Sequence, residues 1–336
     1  MNVLLTSVGR RSYLVDYFKQ AVQPDGRVIA ANSEPLTSGM IAADKSYPVP
    51  RVDSADYIPA ILDICHKENV GLVVSLFDID LPYLAKARDQ FTEAGIELVV
   101  SDPWVIEVAN DKWKTWEFLT EHGIASPRTF LDIDSVHSEI RSGALTYPLI
   151  IKPRWGMGSL SVFCADNSEE LEFFYSYARR QIEKSYLNIL SRDQIAESVV
   201  VQEFVAGKEY GLDVFNDLSG GHLLTIAKQK LAMRSGETDM AKVIDDPRLA
   251  TLGEKLSNLL QHRGNIDVDV LENSEGGLFV LELNARFGGG YPFSHLAGAD
   301  FPADLVAMAE GKAPGIRTVQ VGCVGLKSIN MLKAPV

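Results

Sequence analysis

Cysteine is scarce in this chain. Cys65, Cys164 and Cys323 are three, odd in number and widely scattered, which argues against a disulfide framework or a zinc site. Long hydrophobic runs are missing too. The apolar stretch Val3–Leu5 is too short for a signal-peptide core, its arginines follow rather than precede it, and no segment approaches the length of a membrane span. Cations are in deficit, with Lys+Arg 32 against Asp+Glu 45 and a formal net charge of −13. No basic run interrupts that acidity, so nucleic acid and anionic membrane are poor partners. There is no internal repeat and no low-complexity segment. What remains is an ordinary globular composition, 46% hydrophobic and 23% charged over 336 residues, with room for two or three units with sizeable cores. A soluble cytoplasmic protein with reduced thiols is expected.

The first hundred residues alternate strand and helix signals. Strands are expected at Val3–Ser7, Arg27–Ala31, Gly71–Phe77 and Ile96–Val100, with helices at Ser12–Val22, Asp56–Asn69 and Leu81–Ala94. That succession predicts a small parallel, doubly wound sheet. Asp102-Pro103 ends it, and Pro103–Glu121 reads as helical, with Pro103 suited to a first turn. From Thr129 the pattern becomes α+β. Strands are expected near Leu149–Lys152, Ser161–Ala165, Val199–Glu203, Glu209–Asn216 and His222–Lys230, and long helices near Ser168–Tyr186 and Pro247–His262. A hairpin, a helix near Ala303–Ala309 and a strand near Val321–Leu326 follow. Leu231–Lys242 has turn residues and no clear periodicity, so it reads as a loop ordered by substrate or as an exposed hairpin.

The hairpin GNIDVDVLENSEGGLFVLELNARFGGG is the most informative segment. Glu282 and Asn284 are two apart, so alternation along a strand points both the same way. Asp269 lies at the mirror position on the other strand, close enough to share an ion. Two carboxylates and an amide oxygen form a hard-oxygen set suited to Mg²⁺ that keeps some waters and binds phosphates. Asp267, two residues from Asp269 on the same face, competes for the ligand role. In Ile150–Ser159 a strand runs into a flexible loop containing Gly156 and Gly158, of the kind that brings backbone N–H groups to phosphate oxygens. No Gly-Lys-Ser/Thr follows, so it is not a P-loop. A Gly-rich turn with a surface lysine fits that segment as well. In Gln202–Glu209, strand, polar linker and strand again can offer main-chain groups to an adenine edge; an edge strand with solvated charges fits equally. Thr6–Ser12 is a strand-to-helix turn whose hydroxyls, N–H groups and arginines can hold an anion. It lacks the second and third glycines of a dinucleotide fingerprint, which argues against NAD. His222, His262 and His295 are single and unsupported and read as structural, and Asp78 and Asp80 read as a helix start.

Lys112, Lys152 with its glycine loop, the Gln202–Glu209 segment, Asp269/Glu282/Asn284 and Arg286 in Glu-Leu-Asn-Ala-Arg occur in an order that resembles the ATP-grasp superfamily, from about Pro103 onward. The preceding βαβ unit resembles its usual N-terminal companion. Asn110–Lys114 and Arg286–Gly290 look most like the carbamoyl-phosphate-synthase-like branch, which includes single-module carboxylate–amine ligases. A full carbamoyl phosphate synthetase large chain would carry two such modules and an allosteric domain; this chain has room for one.

The resemblance implies a Rossmann-like pre-ATP-grasp domain over 1–102 and a two-lobed ATP-grasp domain over 103–201 and 202–336. It implies that Lys112 and Lys152 bind the α- and β-phosphates and that the loop with Gly156, Gly158 and Ser159 closes over the β/γ end. Gln202, Glu203 and Val205 would contact adenine, and Glu209 the ribose. Asp269, Glu282 and Asn284 would hold one or two Mg²⁺, with Mn²⁺ as a substitute. Arg286 would sit at the transferred phosphate or the carboxylate, where its fixed planar charge suits an acyl phosphate; a structural pair with Glu282 is the alternative. Lys228, Lys230 and Arg234 follow a strand expected to line the cleft, where the lysines share one face and would meet the triphosphate or acyl phosphate; an ordinary exposed hairpin is the other reading. Gly9 and Arg10 would hold a substrate carboxylate or phosphate. The implied reaction joins a small-molecule carboxylate to an amine or ammonia through an acyl phosphate. The alternatives are a phosphotransferase acting on a carboxylate or carbamate, and a non-catalytic ATP-binding regulator. A homodimer is the commonest assembly for such a chain.

Overall fold

The computed structural model describes residues 1–158, 160–315 and 318–334, and among them the chain forms three sheets. The first is parallel and five-stranded: β1 (Asn2–Thr6), β2 (Val28–Asn32), β3 (Lys45–Pro48), β4 (Val70–Ser75) and β5 (Glu97–Val99), in the order β3-β2-β1-β4-β5. Val3–Leu5 and Val28–Ala31 are buried on both faces of the sheet, which is why these strands read as short unbroken apolar runs rather than alternating ones. Helices Ser12–Ala21 and Tyr57–Glu68 cover it through Leu14, Phe18, Ile61 and Cys65. Strand order reverses about β1, so the loops after β1 and β4 part and leave a crevice at the strands' carboxyl ends. β3 and the short helix Ser38–Ala42 were not expected from sequence. Lys45-Ser-Tyr-Pro is a largely exposed edge strand ending in proline, and so carries no burial pattern.

A four-stranded antiparallel sheet follows, β6 (Thr129–Phe130), β7 (Leu149–Pro153), β8 (Phe163–Ala165) and β9 (Val199–Glu203), ordered β6-β9-β7-β8. Helix Ser168–Lys184 packs on it through Leu171, Tyr175, Ala178 and Ile182. The last sheet holds β10 (Lys208–Asn216), β11 (His222–Arg234), β12 (Glu237–Ile244), β13 (Gly264–Glu272), β14 (Leu278–Asn284) and β15 (Val324–Leu326), ordered β14-β13-β10-β11-β12-β15. The first unit and this sheet share buried side chains. Leu4, Ile61, Val105 and Ile106 belong to one apolar core with Val268 and Leu283, and Val3 and Phe18 to another with Phe215, Phe287 and Phe301. The β6–β9 lobe has its own core of Leu149, Ile151, Leu171 and Val201. Two parts thus share their cores, and the third has a core of its own.

Two helix expectations are corrected, and one of two readings is decided. The helix over Leu81–Ala94 is two, Leu81–Lys86 and Arg88–Glu93, broken at Ala87. The helix over Pro103–Glu121 is also two, Pro103–Asn110 and Lys112–Glu121, because Asp111 leaves helical geometry to cap the second on the N–H groups of Trp113 and Lys114. Leu231–Lys242 takes the hairpin form of its two readings and not the loop. It is the far end of β11 and most of β12, paired antiparallel from Ala227↔Ile244 to Arg234↔Glu237. Irregular register between Lys230 and Met233 erases the two-residue period that sequence reading depends on.

Candidate active site

Pairing of β13 with β14 sets Asp269 directly opposite Glu282 and Asp267 opposite Asn284. The four oxygen-bearing side chains line one wall of a cavity of about 950 Å³. Lysines answer the carboxylates. The Lys112 ammonium stands 3.4 Å from Glu282 Oε1 and donates to the Gly156 carbonyl at 2.6 Å. Lys230 lies between Asp269 Oδ1 at 2.7 Å and Glu209 Oε1 at 2.6 Å. Burial alone would lower the Lys230 pKa, but Asp269 and Glu209 outweigh it and hold it above the usual lysine range. Asp267 is the opposite case: burial, then the charges of Asp269 and Asp213, push its pKa up to about 7. Among the described residues no three His, Cys, Asp or Glu side chains gather into a metal cluster. The oxygen set is Asp269, Glu282 and the Asn284 amide, part of it facing solvent in the cavity, and that donor chemistry fits a hydrated hard cation rather than a closed all-protein cage.

The facing wall comes from the β6–β9 lobe. Lys152 at the end of β7 is buried and donates to Gln202 Oε1 at 2.7 Å, while Gln202 Nε2 donates to Thr129 Oγ1 at 2.9 Å. Burial, then the charge of Lys112, lowers the Lys152 pKa to about 8. Gly156 and Gly158 follow; Gly158 and Met157 line the cavity, and Gly158 has a φ of +66, which glycine adopts without strain. Ser159 lies outside the described residues. The loop is anchored from below by Arg154, whose Nε and a terminal nitrogen pair with Asp111 at 2.8 Å, both side chains buried. Sequence reading missed this pair, which joins the loop to the cap of the Lys112 helix. Beyond β9 the main chain of Phe204 and Val205 makes no hydrogen bond within the described residues, and both residues line the cavity with Glu209. The Glu203 carboxylate accepts from the Arg128 N–H at 3.2 Å.

Arg286, just past β14, closes the third side. Its Nε and a terminal nitrogen reach Asp78 Oδ2 at 2.9 and 2.8 Å. It also donates to Asn284 Oδ1 at 3.0 Å, and both members of the Arg286–Asp78 pair are buried. The partner expected within its own hairpin, Glu282, is therefore not the one it takes. Burial would lower its pKa, yet Asp78 and Asp267 together raise it. Asp78 belongs to the first unit, so the pair spans the join between that unit and the last sheet. Nor does Asp80 cap a helix through its side chain. It is buried beneath Thr6 Oγ1 at 2.8 Å, Ser7 Oγ at 2.9 Å, Ser75 Oγ at 2.5 Å and the Tyr57 hydroxyl at 3.1 Å.

Gly9 and Arg10 both line the cavity. Gly9 has a φ of +47 and donates its N–H to Asn32 Oδ1. Arg10 is 91% exposed and 3.6 Å from Glu237. It is Arg11, not singled out from sequence, that turns inward to hydrogen-bond the Leu76 carbonyl. Lys228 is committed: it is buried against Asp213 and Ser294 Oγ. Arg234 is 70% exposed, pairs with Asp239 at 3.2 Å, and is not among the residues lining the cavity. Several of these partners lie far along the chain, Leu76 from Arg11, Glu237 from Arg10 and Ser294 from Lys228, and so are hidden from sequence reading; Asp239 is close in sequence to Arg234.

A parallel sheet fused to two antiparallel lobes that enclose such a cleft is the architecture of ATP-grasp enzymes. The biotin carboxylase from Campylobacter jejuni, solved with an ATP analogue, superimposes with a TM-score of 0.74 at 14% identity over 95% of this chain and 73% of that one. The L-amino acid ligase from Bacillus licheniformis does so with a TM-score of 0.69 at 18% identity over 91% and 74%. In sequence, residues 109–290 match the ATP-grasp domain and residues 3–99 the PylC-like N-terminal domain. The chain belongs to the ATP-grasp family. It is 24% identical to a carbamoyl-phosphate synthase of Methanobrevibacter smithii over 91% of this chain and 80% of that protein. To the arginine-specific carbamoyl phosphate synthase large chain of Bacillus subtilis it is 20% identical over 77% of its length, spanning only 24% of that protein. Among the described residues no helix is long and apolar enough to cross a membrane.

Proposed function

We propose that this chain transfers the γ-phosphoryl group of ATP to a small-molecule carboxylate and couples the acyl phosphate to an amine or ammonia. A carboxylate oxygen attacks the γ-phosphorus and ADP leaves. The amine nitrogen then attacks the acyl carbon, inorganic phosphate departs, and the nitrogen loses its proton to give the amide. One observation carries this reading: the Asp269/Glu282/Asn284 wall, Lys152 and Arg286 all line a single cavity.

Phosphoryl transfer asks chiefly for positioning and charge neutralisation, and these residues supply both. Lys152, held by Gln202, and Lys112, held at the glycine loop, would receive the α- and β-phosphates. The unpaired main chain at Val205 offers N–H and C=O groups to adenine, and Glu209 faces the ribose. Asp269, Glu282 and Asn284 would hold one or two Mg²⁺ (or Mn²⁺), which when bound neutralises phosphate charge. Arg286, locked by Asp78, presents a fixed planar cation where negative charge grows on the acyl phosphate and the tetrahedral intermediate.

Glu282→Gln is the test. We expect a folded protein with ADP formation abolished; full turnover by that variant contradicts the assignment. A phosphotransferase reading is favoured by the Methanobrevibacter smithii relative, and it predicts ADP release that does not depend on an amine. A regulator would bind MgATP without turnover.

A further inference from the structure

The cavity continues past Arg286 to the crevice at the carboxyl ends of β1, β2 and β4, where Arg10, Arg11, Arg51, Asn32 and Ser33 line it. In a chain of net charge −13, three arginines at one end of one cavity are a marked local excess. Their partners differ. Arg51 is paired with Asp53 at 3.1 Å, and Arg10 lies 3.6 Å from Glu237. Arg11 has no carboxylate within ion-pair distance among the described residues. Its hydrogen bond goes to the Leu76 carbonyl, and it is half-buried. A cation withdrawn from water with only neutral partners is costly unless an anion completes it. The nearby charges reinforce the point: Arg286 repels Arg11, while Asp78, which attracts it, is already bound to Arg286. Glu237 is held by Lys327 at 3.2 Å as well as by Arg10.

We infer that the substrate entering this end carries an anionic group, carboxylate or phosphate, besides the group that reacts, and that Arg11 binds it. The inference rests on the ligase reading only for which molecule enters. Arg11 is a binding residue here, set to receive planar or tetrahedral oxyanions through its remaining N–H groups. Val8, Val52, Phe77 and Ile79 line the same end and take the apolar part of that molecule.

Calorimetric titration of the full chain in saturating MgATP tests this with matched probes. One arm sets amino acids against their amides; the other sets phosphoethanolamine against ethanolamine. We expect an anionic probe to bind in at least one arm, and that arm names the source of the charge. Its neutral counterpart should bind about tenfold or more weakly, and Arg11→Met should cost about tenfold, the worth of a charge-assisted hydrogen bond. Arg11→Lys should recover part of the loss, and the stabilisation by MgATP should be the same in all variants. Arg11→Gln replaces Arg11→Met should the latter not fold. The inference is overturned if no anionic probe binds in either arm, if neutral probes bind equally well, or if the charge-removing variant binds as the parent does. Failure of the ligase reading looks different: MgATP and probe both bind, yet no ADP forms with any pair of substrates.

Discussion

At the scale of single residues, Lys112, Lys230 and Arg286 are each held by a carboxylate, while Lys152 and Arg11 have neutral partners. Arg286 depends on Asp78, and losing one member of a buried pair leaves the other uncompensated. Asp78→Asn should therefore lower kcat by about tenfold to a hundredfold while leaving the KM for ATP near its parent value, with Asp78→Glu recovering part. Steady-state ADP release checks this; an equal rise in the KM for ATP would falsify the positioning role. His262 gives a second test, away from the cleft. It is buried, bonded through Nε2 to the Val214 carbonyl at 3.0 Å, and burial pushes its pKa from 6.5 down to about 4. The folded value lies below the free one, so between these values the unfolded chain binds a proton that the fold refuses. The stability contributed by the neutral imidazole is complete above pH 6.5 and is lost as pH falls toward 4. The unfolding free energy of the parent relative to His262→Gln should shrink by on the order of 3 kcal/mol across that window. Urea titrations at several pH values measure it, and a flat difference contradicts it.

At the scale of elements, legibility followed periodicity. The β13–β14 hairpin was readable because two-residue alternation and the Ser-Glu-Gly-Gly turn set its register, and Asp269 does face Glu282. The β11–β12 hairpin was legible only as one of two readings, because its register slips near Lys230. Helix breaks at Ala87 and Asp111 escaped notice for a related reason: neither is a glycine or proline, and the Asp111 break is stabilised by Arg154, 43 residues away. The linker between β9 and β10 carries a sharper constraint. Gly207 has a φ of +157, and a Cβ there would stand 1.8 Å from the Glu272 carbonyl oxygen. Backbone cannot give way as a flexible side chain can, so Gly207→Ala should destabilise the chain by about 3 kcal/mol, read from the urea midpoint, and should weaken MgATP binding if the adjacent linker holds adenine as proposed. An unchanged midpoint contradicts this placement.

At the scale of the whole molecule, the segments proposed to hold the nucleotide were visible because their residues are local in sequence, Lys152 to Gly158 and Gln202 to Glu209. The substrate half was not. Asp78 lies 208 residues from Arg286, and Arg11 was indistinguishable from Arg10 until the turn after β1 showed which of the two faces inward. The first unit shares two apolar cores with the last sheet and supplies Asp78 to its arginine, so it is part of the catalytic body rather than an appendage. The central claim is a coupling of two substrates at one MgATP cleft. Its most direct measurement is ADP and phosphate release over a panel of small carboxylates and amines, tested singly and in pairs. We predict equimolar ADP and phosphate only where both a carboxylate and an amine are present. ADP release with a carboxylate alone, undiminished when every amine is withheld, would contradict the account.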